Sequence, residues 1–128
     1  GGDMADPEFG GEAHPCADYV PPQLRFGAHT APLGMRFYAG AMFPPEYRGD
    51  AFVALHGSWN RSRKSGYQVV RVRVDGGKAV AAEPFVQGWL QGEKVLGRPV
   101  DLLVMPDGSM LVSDDKNGAI YRITHASD

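Results

Sequence analysis

From Pro32 onward, short apolar runs alternate with turn residues. Strands are predicted over 33–38 and 51–55, with a Pro-rich turn through Phe43-Pro44-Pro45 and Gly49-Asp50 between them. Over 67–74, Val70, Val72 and Val74 alternate with Arg71 and Arg73. That pattern predicts a half-buried strand with one apolar and one basic face. Asp75-Gly76-Gly77 signals a tight hairpin into a weaker strand at 79–86, where Pro84 marks an edge. After a Gly-rich link (Gly88, Gly92, Gly97), strands are expected at 100–105, 110–113 and 119–124. Pro106-Asp107-Gly108 and Asp114-Asp115-Lys116-Asn117-Gly118 turn the chain between them. No segment sustains a helical period over three turns, so the fold class is all-β.

The two sets of strands resemble each other. Each starts at a proline (Pro32, Pro99) and passes a Gly/Asp turn into a short apolar strand. Each then crosses to a strand with an arginine between large apolar residues, Val70-Arg71-Val72 and Tyr121-Arg122-Ile123. Repeats of about 40–50 residues holding up to four antiparallel strands point to propeller blades. The second copy stops after three strands, as a closing blade does when its fourth strand comes from elsewhere. Rings need about four to eight blades, so two blades read as part of a larger propeller. The organisation expected is an irregular loop region at 1–31, a penultimate blade at 32–90 and a last, incomplete blade at 91–128. The loop region carries turn pairs such as Asp6-Pro7 and Pro21-Pro22 and no periodicity.

Composition changes this picture little. The 128 residues carry a formal net charge of −2, which gives no electrostatic case for nucleic acid or an anionic membrane. No run approaches the roughly 20 apolar residues that span a bilayer, and the opening Gly1-Gly2-Asp3 shows no signal peptide. Cys16 is alone, so no internal disulfide or thiolate cluster is expected.

Polar chemistry concentrates between the second and third strands, in His56-Gly57-Ser58-Trp59-Asn60-Arg61-Ser62 followed by Arg63 and Lys64. Loops carried on a rigid sheet are where binding groups gather. That motif stands with His29-Thr30-Ala31-Pro32-Leu33-Gly34-Met35-Arg36-Phe37-Tyr38, Tyr47-Arg48-Gly49-Asp50, Gly66-Tyr67, Gly97-Arg98-Pro99-Val100 and Asp107-Gly108. Together they resemble the soluble pyrroloquinoline-quinone (PQQ)-dependent sugar dehydrogenases, in their sorbosone/aldose dehydrogenase branch.

The resemblance implies the C-terminal third of a six-bladed β-propeller with PQQ in a funnel at one end. It also implies Ca²⁺ bridging protein and cofactor, and an aldose or sorbosone-like aldehyde oxidised by hydride transfer to the quinone. The histidine base and most calcium ligands belong to earlier blades of the family. This piece is therefore expected to hold no catalytic or metal residue of its own, to supply one wall of the funnel, and to be inactive alone. A periplasmic or secreted location follows from the same resemblance.

Arg98 is the first cofactor candidate, because a guanidinium pairs bidentately with a carboxylate; the alternative is a surface arginine. Where relatives carry a second arginine two positions on, this chain has Val100. Asn60 or Arg61 stands in for a family cation, and both remain candidates because the loop length lets the alignment slip. Trp59 either lines the funnel as a flat wall for the quinone or caps the gap between blades. His29 and His56 either hydrogen-bond cofactor or substrate, or rest on a neighbouring backbone carbonyl. Asp107, Asp114 and Asp115 read as turn residues in preference to a cation site, since no Ca²⁺-loop spacing is present.

Two further readings stand beside the enzyme. One is a non-catalytic propeller module that binds a protein or glycan, and the other is a ring assembled from three copies of this chain. The flank that meets a preceding blade is apolar, so self-association of the isolated chain through it is expected.

Overall fold

The structure, a computed structural model, describes residues 20–59 and 62–127. Two antiparallel sheets dominate it. In the first, β1 (Pro32–Phe37), β2 (Ala51–Leu55), β3 (Gln68–Asp75) and β4 (Lys78–Val86) follow one another in sequence order. A small hairpin, β5 (Leu90–Gln91) and β6 (Lys94–Val95), leads to the second sheet. That sheet is ordered β7 (Pro99–Val104), β8 (Met110–Asp114) and β9 (Ala119–Ile123). The all-β reading holds, with one short 3₁₀ turn at Pro45–Tyr47. Of the irregular stretch expected at 1–31, residues 20–31 are described and contain neither helix nor strand, while Cys16 lies outside the described residues. Among the described residues, no helix is long and apolar enough to cross a membrane.

The apolar pattern explains the packing. All five residues of β2 are buried, because this central strand is covered on both faces, while Met35 and Phe37 on β1 stay exposed. One face packs on the second sheet through Tyr38, Phe52, Ala54, Tyr67 and Val69, which meet Trp89, Leu102, Met110 and Val112. Phe52 and Phe85 sit 4.6 Å apart edge-on, and Tyr38 stacks on Phe43 at 4.6 Å. The opposite face gathers Ala51, Val53, Leu55, Val70 and Val72, with Leu24, Phe26 and Ala79 laid on it. A strand buried on both faces reads as a continuous apolar run, which is what 51–55 shows.

One expectation for β3 needs correcting. Arg71 lies on the strand's second face but is no solvated cation: its side chain is only 11% exposed. It donates Nε–H to Asp50 at 2.7 Å and Nη1–H to Glu83 at 3.0 Å, and its guanidinium lies 4.0 Å from the Tyr47 ring centre. Burial opposes this charge, but Asp50 and Glu83 outweigh it and raise the guanidinium above its ordinary value. Half of the supposed basic face is therefore an internal ion pair, and Arg73 alone of the two is exposed.

The internal repeat survives in side-chain detail. In the first sheet the β3 arginine pairs with Asp50, in the turn before β2. In the second, Arg122 of β9 pairs with Asp107, in the turn before β8. The sheets are joined at this end by Tyr38, whose hydroxyl donates to the Gly108 carbonyl at 2.7 Å and accepts the Phe43 N–H at 3.0 Å. The Gly-rich link also departs from expectation: it folds into β5–β6, and its Trp89 is buried against Tyr121, with ring centres 5.6 Å apart.

Candidate functional site

The β2–β3 loop, the residue before β7 and the β8–β9 turn all lie at one end of the sheets. Register fixes this: Pro32 pairs with Leu55, Leu55 with Gln68, and Pro99 with Asp114. The residues just beyond those pairs, namely Ala31, His56, Tyr67, Arg98 and Asp115, therefore share one rim.

Two glycines shape the loop. Gly57 has φ of 107°, and a Cβ there would meet the Tyr67 ring at 2.5 Å; Gly66 has φ of 88°, and a Cβ there would meet Gly57 Cα at 2.8 Å. Side chains at either position would be both strained and obstructed. The two glycines let the loop's strands touch, and polar bonds close it. Ser58 N–H donates to the Ser65 carbonyl at 2.9 Å, Ser65 N–H to Ser58 Oγ at 3.1 Å, and the Tyr67 hydroxyl to the Ser58 carbonyl. The loop is anchored to the β1 side by His56 N–H on Ala31 O and Gly57 N–H on Thr30 O. On its far side, Lys64 N–H donates to the Glu93 carboxylate at 2.9 Å and Lys64 Nζ to the Glu93 carbonyl at 2.8 Å. The β5–β6 turn thus clamps the loop, a role the sequence pattern concealed.

Arg98 is half-buried on this rim, its guanidinium 5.4 Å from the Tyr67 ring centre. Among the described residues no carboxylate pairs with it. Its backbone is held by N–H donation to Asp114 Oδ1 at 3.0 Å and by its carbonyl, which accepts Asp115 N–H at 3.3 Å. A half-buried cation stacked on an aromatic face and lacking an anion is placed to receive one.

His56 is drawn to Asp115 across the two sheets, with Nε2 3.0 Å from both carboxylate oxygens. Its partner is thus a side chain on the other sheet, and not a neighbouring backbone carbonyl. His29 is exposed with φ of 64°, one residue before the Thr30 that anchors the loop. Trp59 is 85% exposed, so it does not cap the gap between sheets; Trp89 fills that gap. Asn60 and Arg61 lie outside the described residues.

The acidic turns behave as turns. Asp114 is buried and accepts from Arg98 N–H, Lys116 N–H, Asn117 N–H and side-chain amide, and the Tyr121 hydroxyl. Burial alone would raise its carboxyl, but these donors win and hold it below the ordinary carboxylate range. Asp107 accepts the hydroxyl and backbone N–H of Ser109 and the Arg122 guanidinium, and is likewise lowered. Among the described residues no group of three or more His, Cys, Asp or Glu could hold a metal ion.

Consecutive meander sheets packed face to face, with strands in sequence order and a polar loop rim at one end, make this a partial β-propeller. A family model described as TrAA12-like matches residues 4–126, and the chain belongs to that family, in agreement with the resemblance to PQQ-dependent sugar dehydrogenases. The chain is 42% identical over 108 residues to an uncharacterized protein of Borreliella burgdorferi, covering 82% of this chain and 28% of that protein. The solved structure of the Trichoderma reesei carbohydrate-active enzyme of family AA12 superposes with a TM-score of 0.69 at 25% identity, covering 84% of this chain and 28% of that one. The holo PQQ domain of a Coprinopsis cinerea pyranose dehydrogenase superposes at 0.65 and 30% identity, covering 85% of this chain and 30% of that one. The chain therefore spans less than a third of each of these relatives.

Proposed function

We propose that this chain is the C-terminal part of a six-bladed, PQQ-dependent sugar or aldehyde dehydrogenase, its residues 32–90 and 91–128 forming the last two blades. The observation that carries this is Arg98: a half-buried guanidinium on the loop rim, stacked on Tyr67, with no carboxylate partner among the described residues. PQQ is planar and bears several carboxylates, so a cation over an aromatic ring, without a carboxylate partner among the described residues, fits it. Arg98 would hold one cofactor carboxylate, His56 and His29 would reach ligand oxygens, and Trp59 would offer a flat wall. Arg61, as a second cation, or Asn60, as a neutral amide donor, on the same loop would add a further cofactor contact. A quinone held there would supply the hydride acceptor for an aldose or sorbosone-like substrate. The chain's own residues bind and orient, and the base histidine belongs to an earlier blade.

Calcium does not fit the described residues: no three of their His, Cys, Asp or Glu side chains are grouped to hold a metal ion, and Asp107 and Asp114 are taken up by N–H and O–H donors. A Ca²⁺ site would lie on earlier blades. The location that goes with this reading is periplasmic or secreted.

Reconstitution of the full-length protein with PQQ and Ca²⁺ tests it. We expect a bound-quinone absorption spectrum and aldose-dependent reduction of an artificial electron-accepting dye. Full-length protein that takes up no quinone would overturn the reading and leave a non-catalytic propeller module in its place.

A further inference from the structure

The His56–Asp115 pair is unexplained by a cofactor-holding rim alone. A carboxylate of the ionised form has no hydrogen to give, so the 3.0 Å contacts from both Asp115 oxygens require His56 Nε2 to carry the proton. In the neutral ring this leaves Nδ1 as a bare acceptor. Among the described residues Nδ1 has no hydrogen-bond partner, and the His56 side chain keeps 21% of its surface exposed. Both members of the pair are held in place. His56 N–H is fixed on Ala31 O at 2.9 Å and Asp115 N–H on Arg98 O at 3.3 Å. Asp114 ties down the turn that carries Asp115.

The rim thus offers two opposite chemistries. Arg98 can only donate, and suits the anionic oxygens of a carboxylate-bearing cofactor. A bare imidazole nitrogen can only accept, and suits an O–H. A sugar is rich in such donors, whereas PQQ has a single one, its pyrrole N–H, and its quinone carbonyls and ionised carboxylates have none.

We propose that Asp115 is a positioning residue: by accepting the hydrogen bond from Nε2–H of His56, it presents the Nδ1 lone pair to a hydroxyl of the sugar. This rests on the quinone-dependent sugar dehydrogenase reading and divides the rim between cofactor, through Arg98, and substrate, through His56. Neither Asp115 nor any carboxylate acting through a histidine was singled out by the sequence pattern, in which Asp114-Asp115 is a turn.

The test uses the full-length protein, with Asp115→Ala and Asp115→Asn. Long-range ¹⁵N NMR of the wild type at mildly alkaline pH should show His56 protonated at Nε2 and bare at Nδ1. Asp115→Ala should mix the two tautomers and raise the aldose KM about 5- to 10-fold, as expected for one lost hydrogen bond. PQQ affinity should stay within about twofold, and Asp115→Asn, whose amide oxygen still accepts, should recover part of the KM. In a His56→Ala background, Asp115→Ala should change KM by no more than about twofold, since the two act as one unit. A proton on Nδ1 in the wild type, an unchanged KM in Asp115→Ala, or PQQ affinity falling in step with sugar affinity would each overturn the proposal. Wild-type protein that binds no PQQ would instead count against the parent reading, while the nitrogen shifts would still decide whether Asp115 sets the tautomer.

Discussion

Asp114 shows how a single side chain shapes a loop rim through its hydrogen bonds. Its two oxygens collect donors from Arg98, Lys116, Asn117 and Tyr121, so they fix both the backbone entering β7 and the turn leaving β8. Asp114→Asn puts an amide N–H₂ among N–H donors, and we expect a loss of about 2–3 kcal/mol at neutral pH in urea unfolding. The pH dependence has a definite sign. The folded carboxyl lies below its ordinary value. Its contribution is therefore full above the unfolded value of about 3.9 and is lost as pH falls through the lower folded value. The stability gap between wild type and Asp114→Asn should close on acidification from pH 7 towards pH 3, and a gap that widened would contradict the assignment. The turn itself was legible in Asp114-Asp115-Lys116-Asn117-Gly118, because Asp, Asn and Gly announce turns locally. The His56–Asp115 contact was not, since it joins residues 59 positions apart and no local pattern encodes it.

At the scale of elements, the strands were readable and the clamps between them were not. Alternation and Pro/Gly punctuation located all seven strands of the two large sheets, and Pro84 falls on β4, an edge strand as expected. The β5–β6 hairpin is not legible in the sequence because two-residue strands carry too few positions to show a period. The burial of Arg71 is not legible because alternation reports which residues share a face, not that the 46–50 turn folds over it with Tyr47 and Asp50. The β2–β3 loop gives a sharp test of its own geometry. Gly57→Ala meets both a positive φ and the Tyr67 ring, whereas Gly49, at φ of 87°, has open space around its missing Cβ. We expect Gly49→Ala to cost about 1 kcal/mol from backbone strain alone. Gly57→Ala should cost more, about 2–4 kcal/mol, as overpacking adds to strain. Thermal unfolding of the two variants side by side checks this, and equal costs would mean the Gly57–Tyr67 contact is absent.

At the scale of the molecule, the first sheet turns an apolar flank outward. Met35 and Phe37 are 49% and 61% exposed, and they border a groove shared with Phe26, Val53, Val72 and Ala79. In the proposed ring a preceding blade covers this flank. Without one, the isolated 128-residue chain should self-associate through it. Sedimentation should then show a mass above one chain that falls on dilution, and Met35→Glu with Phe37→Glu should reduce it to one chain. A wild-type mass equal to one chain at all concentrations would speak against an uncovered flank.

Whether the loop rim receives a quinone through Arg98 is decided by equilibrium titration of PQQ into full-length wild type, Arg98→Lys and Arg98→Met. Losing a charge-assisted bidentate contact should weaken binding about 10- to 100-fold in Arg98→Met, with Arg98→Lys intermediate because a point charge replaces the planar fork. Tight binding in the wild type that is unchanged in Arg98→Met would contradict the account.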